Sequence, residues 1–233
     1  MPNPQDDSII FHALDRDSEI EITERNLPHW FQVDAAVFIT FRLADSLPKE
    51  VVIRMLAELR EWLRRNSMPS ALADVIFEAN EIHYDRIMND ISPIQRREFK
   101  KLTDRLFHRS LDDCHGACLL KNPALATIVS DAIKHFDGDR YDLDSFVIMP
   151  NHVHAIVQFR QEGGLSTIGQ SWMRYTAREI NKRIGRTGVL WQPEPFDHVI
   201  RSPEQCEYLQ RYIAANPSKA KLVAGEYLNW KRV

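Results

Sequence analysis

The stretch SFVIMPNHVHAIVQF, residues 145–159, decides the fold. It predicts two strands joined by a tight turn at Pro150-Asn151, because proline and asparagine favour turns and apolar residues fill both flanks. Side chains alternate between the two faces of a strand. On the second strand one face is purely apolar, and the other carries His152 and His154. We therefore expect a β-hairpin whose apolar face packs against helices and whose histidines lie on the open face of a sheet.

The segments around this hairpin predict an α+β fold. AAVFITFRLA alternates like a strand, and the later segments alternate between strand-like and helix-like apolar spacing. The predicted order is a strand at 35–44, a helix at 49–66, a helical insertion at about 67–113, a helix at 122–136, the hairpin, a helix at about 166–185, an edge strand within 189–200 and a terminal helix capped by Ser202. Without the insertion this order is βαββαβ, which predicts a ferredoxin-like antiparallel sheet with helices on one face.

The predicted organisation is one domain, residues 35–233, behind a polar and loosely structured lead-in at 1–34. The insertion is predicted to contain two helices, at 74–90 and 92–111, with no role that the sequence assigns. The hydrophobic content of 44% in 233 residues is enough for one core of good size.

Charge and cysteine usage restrict the class of protein. The net charge is −3 and the sequence pI is near 6.3, so binding to nucleic acid must depend on a local basic patch. No apolar run approaches the roughly 20 residues of a membrane span, so no membrane partner is expected. Three cysteines, Cys114, Cys118 and Cys206, suit a reducing compartment better than a disulfide framework, which predicts a cytoplasmic protein.

Two imidazoles one strand step apart suit two ligands of one metal ion, although two polar residues on a solvent-facing sheet surface would give the same pattern. The terminal helix places Tyr208, Tyr212 and Asn216 on one face, four residues apart. Either tyrosine could act as a nucleophile or simply pack in an amphipathic helix. Asn216 could supply a third, oxygen ligand or simply end the helix. Such a set leaves positions for phosphate oxygens and water, which favours Mg²⁺ or Mn²⁺ and phosphoryl transfer.

Three motifs give the chain a resemblance to a known family. MPNHVHAIV resembles the His-hydrophobic-His motif of the one-tyrosine HUH transposases. WQPEPFDHVIRSPEQCEYLQRYIAANPSKAKLV resembles that family's second block, in which a YI..NP.K..LV helix follows an F.H.IR strand. ITFRLADSLP resembles the first strand of the same group, and the REP-associated tyrosine transposases are the most similar branch.

The resemblance implies a ferredoxin-like HUH domain that acts on single-stranded or hairpin DNA with a divalent cation. His152 and His154 match the metal-binding pair, Tyr212 at the start of YIAANP matches the nucleophile, and Asn216 matches a third metal-contacting amide. Tyr208 matches no functional position and is assigned to packing. The implied reaction is cleavage and rejoining of one DNA strand through a 5′-phosphotyrosine bond. In this family the terminal helix can be exchanged between subunits, which would make a second copy of the chain a partner.

A basic stretch is the candidate DNA-binding surface. It combines aromatic residues with the cations Arg174, Arg178, Lys182, Arg183 and Arg186. A solvated helix face with buried aromatics explains the same pattern, and Trp172 falls on the apolar spacing of a core residue. A second basic cluster lies at 95–109 in the insertion.

Two other functions remain open from the sequence. One is a non-catalytic, domesticated regulator that keeps the fold and binds DNA hairpins. The other is a metallohydrolase with water as its nucleophile, for which no general-base carboxylate stands beside the histidines in the sequence. The set of His152, His154, Tyr212 and Asn216 favours the transposase.

Overall fold

The computed structural model describes residues 11–15, 17–18, 21–24, 28–73, 91–161, 164–193 and 195–233. The strands in these ranges are β1 (Glu21–Glu24), β2 (Pro28–Phe31), β3 (Ala36–Arg42), β4 (Tyr141–Ile148), β5 (His152–Phe159), β6 (Phe196–Val199) and β7 (Leu228–Lys231). The α-helices are α1 (Lys49–Arg65), α2 (Pro93–Asp112), α3 (Pro123–Lys134), α4 (Gly164–Ile184) and α5 (Pro203–Lys219). The helix predicted at 74–90 lies outside the described residues.

The main sheet has five strands in the order β6-β3-β5-β4-β7, and every described pair is antiparallel. Its first four strands stand in the order fourth, first, third and second of the βαββαβ unit, which is the split-βαβ arrangement. The predicted α+β, ferredoxin-like fold is therefore confirmed, and so is the position of β6 at an edge. The strand β7, which extends the sheet beside β4, was not predicted from the sequence.

The lead-in at 1–34 is more ordered than predicted where the structure describes it. β1 and β2 form a two-stranded antiparallel sheet. The backbone N–H of Leu14 donates to the carbonyl of Ile200 at 2.7 Å, and His12 forms an isolated bridge with Ala35. These backbone contacts tie the lead-in to the edge of the main sheet.

Helices cover both faces of the main sheet. Val153, Ala155 and Val157 on β5 are buried against α3 and α4, as predicted for the apolar face. The opposite face, where the histidines lie, is covered by α5, whose Leu209 and Ile213 share a buried cluster with strand residues. The expectation of an open histidine face was wrong, because the apolar stripe of α5 has to be buried against something and the rest of this face is apolar.

The helix between the first two strands of the βαββαβ unit also differs from the prediction. The helix that shares the sheet's core in this crossover is α3, whereas α1 packs against α2 in a separate cluster that includes Leu59, Leu63 and Phe99. The extra helical unit of the described chain thus includes α1 as well as the second predicted helix of the insertion. The free cysteines Cys114 and Cys118 lie in the loop after α2.

Candidate metal and nucleophile site

The two histidines of β5 lie side by side in the interior. Both His152 and His154 have no exposed surface, and their ring centres are 4.6 Å apart at 71°. Burial lowers the pKa of His152 to about 3 and that of His154 well below its ordinary value. Both rings are therefore neutral near pH 7, which is the state that can bind a cation. The alternative of two solvent-facing polar residues does not hold for this structure.

The turn of the hairpin sets the tautomer of His152. The side-chain nitrogen of Asn151 faces the carbonyl oxygens of Leu111 at 3.3 Å and His115 at 3.2 Å, which fixes the orientation of its amide. The amide oxygen Oδ1 then lies 2.8 Å from Nδ1 of His152. Since Oδ1 can only accept, the His152 Nδ1–H donates to it and Nε2 keeps a free lone pair. Nε2 is buried and has no hydrogen-bond partner among the residues that the structure describes.

The ring of His154 is held from the neighbouring strand. Thr40 on β3 pairs with His154 in the strand register, and its hydroxyl oxygen lies 2.7 Å from Nδ1 of the imidazole. The ring of Phe38 stacks on the same imidazole with 5.2 Å between centres. These contacts leave Nε2 of His154 directed towards α5, where it lies 3.5 Å from the hydroxyl oxygen of Tyr212.

A cap and a bulge place α5 over the histidines. Ser202 is the N-cap residue and its side chain accepts from the backbone N–H of Gln205, as the predicted cap requires. The register of β4 shifts at Asp144, and this residue accepts a hydrogen bond of 2.7 Å from the Gln210 side chain on α5. The helix then continues through Pro217 to Lys219.

Tyr212 is the tyrosine that reaches the histidines, and it does so within one chain. Its hydroxyl oxygen lies 2.9 Å from Nδ1 of His108 on α2, in addition to the longer contact with His154. Burial raises the pKa of Tyr212, and the charge of Asp112 raises it further, while the side chain of Asn216 acts in the opposite direction. The residue is therefore a neutral phenol near pH 7, with its oxygen at the buried end of the side chain.

Asn216 follows Tyr212 by one helical turn and is fully buried. Neither its Oδ1 nor its Nδ2 forms a hydrogen bond of ordinary geometry in the described part of the structure, although the side chain is close enough to the Tyr212 hydroxyl to lower the pKa of that phenol. Buried amides are almost always paired, because an unpaired buried polar group costs about 1–3 kcal/mol. The Asn216 amide, one helical turn from the phenol that contacts His154, thus lacks the ordinary hydrogen bonds of a buried amide.

The donor set of this site fits a divalent cation. Within the described ranges, Nε2 of His152 and the polar side-chain atoms of Asn216 are buried without a hydrogen bond of ordinary geometry, and Nε2 of His154 has the long contact with the phenol. Two imidazoles and one amide oxygen would hold the ion while leaving positions for phosphate oxygens and water. No group of three or more His, Cys, Asp or Glu suited to a metal occurs among the residues described.

The structure separates Tyr208 from Tyr212. Tyr208 is 60% exposed, so its assignment to packing was wrong. It lines a groove of about 750 Å³ between α2 and the end of α5, and Tyr212 and His108 also line this groove. The other charged side chains along it are Lys101, Asp104, Arg105, Arg109, Asp112, Asp113, Lys219 and Lys221. Cations therefore outnumber carboxylates among the side chains that line this groove.

The predicted DNA-binding cations lie elsewhere. All five are on α4 or directly after it, and α4 packs on the face of the sheet opposite the histidines: Arg174, Arg178, Lys182, Arg183 and Arg186. Trp172 on the same helix is buried in the core, as its spacing predicted. The structure thus does not bring this basic row to the histidine site, and a role for it in DNA binding stays a prediction.

The sequence analysis missed two residues of this region. His108 is a single histidine in a charged helix, and no pattern in the sequence separates it from a surface residue. Arg42 pairs with His152 in the strand register, so both side chains leave the same face of the sheet. Its guanidinium contacts the hydroxyl of Ser46 at 3.0 Å and the ring of Phe107, but no carboxylate among the described residues forms an ion pair with it. Burial lowers the pKa of Arg42 to about 10, which leaves it charged.

Comparison with known proteins relates this region to DNA transposases. Residues 121–216 match the family described as "Transposase IS200 like". This segment contains both histidines, Tyr212 and Asn216, whereas α1 and α2 precede it. The resemblance inferred from the sequence motifs is therefore confirmed for the segment that carries the candidate site.

Two individual proteins also show similarity. An uncharacterized protein of Haemophilus influenzae is 28% identical over 96 residues, which covers 32% of this chain and 53% of the relative, so the chain spans about half of that protein's length. The solved structure of a REP-associated tyrosine transposase bound to a REP hairpin aligns with a TM-score of 0.36 at 14% identity, covering 84% of this chain and 73% of the other. No described helix combines the length and the apolar character needed to cross a membrane.

Proposed function

We propose that this chain, a relative of the IS200-like transposases through residues 121–216, is a divalent-metal-dependent DNA strand transferase with Tyr212 as its nucleophile. The substrate class is single-stranded DNA, with hairpin-forming repeats of the REP type as the expected target. The observation that carries the proposal is the distance of 3.5 Å between the Tyr212 hydroxyl and Nε2 of His154, the buried neighbour of His152 on β5.

The chemistry assigned to Tyr212 is an exchange of phosphodiesters. Its oxygen attacks a phosphorus atom of the strand, one P–O bond forms and the bond to the 3′ oxygen breaks. The phenol loses its proton and the departing 3′ oxygen gains one, so the step needs no other reactant. The product is a 5′-phosphotyrosine with a free 3′-hydroxyl, and attack by another 3′-hydroxyl reverses the step and joins new ends.

His152, His154 and Asn216 would hold Mg²⁺ or Mn²⁺ next to that phosphate. When bound, the ion would polarise the phosphate and offset the burial that raises the pKa of Tyr212. The chain's own contribution is to keep the two imidazoles neutral, to fix the His152 tautomer through Asn151, and to shield the phenol oxygen under α5.

The charge around the site supports an anionic substrate. Arg42 is a half-buried cation without a carboxylate partner in the described structure, and it neighbours His152 on the sheet. The groove that leads to Tyr212 carries cations from both α2 and the end of α5. Phosphate oxygens are suitable partners for both, and the exposed ring of Tyr208 offers a surface on which a base can stack.

A denaturing gel tests the proposal and separates it from the two alternatives. The protein is incubated with a 3′-labelled hairpin oligonucleotide and Mn²⁺, because the 3′ part of the strand stays on the tyrosine, and the wild type is compared with Tyr212→Phe and with the exposed control Tyr208→Phe. We expect a covalent adduct in the wild type and in Tyr208→Phe, and none in Tyr212→Phe. Cleavage without an adduct would indicate a metallohydrolase, and tight binding without cleavage would indicate a non-catalytic DNA-binding protein.

A further inference from the structure

We propose that His108, on the helix α2 outside the matched segment, is a positioning residue that accepts the hydrogen bond of the Tyr212 hydroxyl and directs the phenol oxygen towards the phosphate. The inference rests on the proposed function in taking Tyr212 as the nucleophile. It also gives the extra helical unit a role, since α2 supplies a part of the active site that the matched segment lacks.

The contacts of the hydroxyl favour His108 over His154 as its partner. The oxygen lies 2.9 Å from His108 Nδ1 and 3.5 Å from His154 Nε2, and a phenol has one proton to donate. The shorter distance is that of a hydrogen bond, while the longer one is marginal. The ring centres of His108 and Tyr212 are 5.3 Å apart at 63°, so the imidazole meets the phenol edge with its nitrogen directed at the oxygen.

Binding of a cation by His152 and His154 would strengthen this assignment. If His154 held the cation through the lone pair of Nε2, that nitrogen could not accept a hydrogen bond from the phenol. His108 would then be the imidazole still able to accept this hydrogen bond. With the hydroxyl proton directed at His108, the lone pairs of the Tyr212 oxygen would be free to face the phosphate. Burial lowers the pKa of His108 to about 4, with a contribution from Lys219, so the ring is neutral and able to accept.

The position of His108 is itself well supported. Two turns of α2 place Leu102 and Leu106 in a buried cluster with α1, and the carbonyl of Leu111 at the helix end accepts from the Asn151 side chain. The same helix end is thereby anchored to the hairpin turn that orients His152. If this helix end moved away from Tyr212, it would break the contact between Leu111 and Asn151, the residue that orients His152.

Two variants of one position separate the hydrogen bond from the shape of the ring. His108→Phe keeps an aromatic ring of similar size and removes the acceptor, while His108→Asn restores a polar side chain that can reach the phenol. The exposed Glu98→Gln on the same helix is the control, because Glu98 does not line the groove. Melting curves for all variants establish that each one folds.

The first readout needs neither metal nor DNA. In protein labelled with ¹³C at the ζ carbon of tyrosine, the Tyr212 signal is identified by its loss in Tyr212→Phe. We expect this signal to shift in His108→Phe and to remain near its wild-type position in Glu98→Gln. An unchanged signal in a folded His108→Phe protein would show that the hydrogen bond does not exist and would overturn the inference.

The second readout is the rate of adduct formation with Mn²⁺ at saturating hairpin DNA. We expect His108→Phe to slow this rate roughly 10–100-fold with hairpin affinity within about twofold of wild type, and His108→Asn to recover part of the loss. A wild-type rate in His108→Phe, or a loss confined to DNA affinity, would overturn the inference. If the wild type itself forms no adduct at Tyr212, the proposed function fails, whereas the tyrosine signal still decides whether His108 holds the phenol.

Discussion

Replacement of Asn151 by alanine tests how the hairpin turn prepares the metal site. Asn151 has no exposed surface and makes three side-chain contacts, at 2.8 Å to the His152 ring, at 3.3 Å to the Leu111 carbonyl at the end of α2 and at 3.2 Å to the His115 carbonyl in the loop after it. Alanine leaves a buried ring N–H without an acceptor and removes the Asn151 donor from both carbonyls, although the Leu111 carbonyl keeps its hydrogen bond of 3.0 Å from the backbone N–H of Cys114. An orphaned buried group costs about 1–3 kcal/mol, and the two longer contacts share one donor group. We therefore expect Asn151→Ala to lower the free energy of unfolding by about 2–4 kcal/mol.

The same change should weaken the cation site through the tautomer of His152. Without the Asn151 acceptor the ring proton can move to Nε2, which removes the lone pair from the nitrogen that faces the site. Loss of such an outer contact typically weakens metal binding by about 10–100-fold. Urea unfolding without metal measures the first effect, and titration calorimetry with Mn²⁺ measures the second. A loss of this stability corresponds to a fall in melting temperature of about 5–15 °C for a chain of this length.

Asn151→Asp is the matched variant. Its carboxylate still accepts from His152 Nδ1–H, but it can no longer donate to the two carbonyls. We expect it to lose stability and yet keep Mn²⁺ affinity within about threefold of wild type, in contrast to Asn151→Ala. If a folded Asn151→Ala protein binds Mn²⁺ as tightly as the wild type, the tautomer does not depend on Asn151 and the reasoning is refuted.

Three other predictions follow from the buried polar groups and from the two basic surfaces. Asn216→Leu should raise the free energy of unfolding of the metal-free protein by about 1 kcal/mol, because leucine of similar size replaces a buried amide without ordinary hydrogen bonds. The same variant should form no adduct. A large loss of stability in urea unfolding would contradict the first expectation. The pKa of His152 in the folded protein, about 3, lies below the ordinary value of 6.5. The stability that depends on its neutral form is therefore complete above pH 6.5 and falls by up to about 1.4 kcal/mol per pH unit as the pH drops towards 3. His152→Leu should flatten this part of the curve of stability against pH. Arg105→Ala in the groove should weaken binding of single-stranded DNA and lower the salt dependence of that binding by roughly one counterion. Equal salt slopes for the wild type and Arg105→Ala would exclude the groove as the DNA path. The same assay on Arg178→Ala tests the α4 surface.

The elements of the sheet could be predicted because their patterns are local. The alternation in β3 and β5, the Pro150-Asn151 turn and the Ser202 cap each depend on neighbours in the sequence, and the structure confirms all three kinds of feature. β7 was missed because a four-residue strand is too short for alternation to be distinguished from chance. Its pairing with β4 is decided by contacts distant in sequence.

The candidate site could be predicted only in part. The spacing of His152 and His154 and the four-residue interval from Tyr212 to Asn216 are visible in the sequence, and the structure brings Tyr212 to His154. The sequence could not show that α5 covers the histidine face, because that depends on how a helix docks. The role of α2 was invisible for the same reason, since His108 reaches Tyr212 across 104 residues of chain.

The most direct test of the central claim is to identify the residue that becomes joined to DNA. Wild-type protein is reacted with a hairpin oligonucleotide and Mn²⁺, digested with nuclease and protease, and analysed by tandem mass spectrometry. We expect a nucleotide attached through its 5′ phosphate to Tyr212, with a free 3′-hydroxyl on the released strand. Attachment to Tyr208, or strand cleavage with no modified tyrosine, would contradict it.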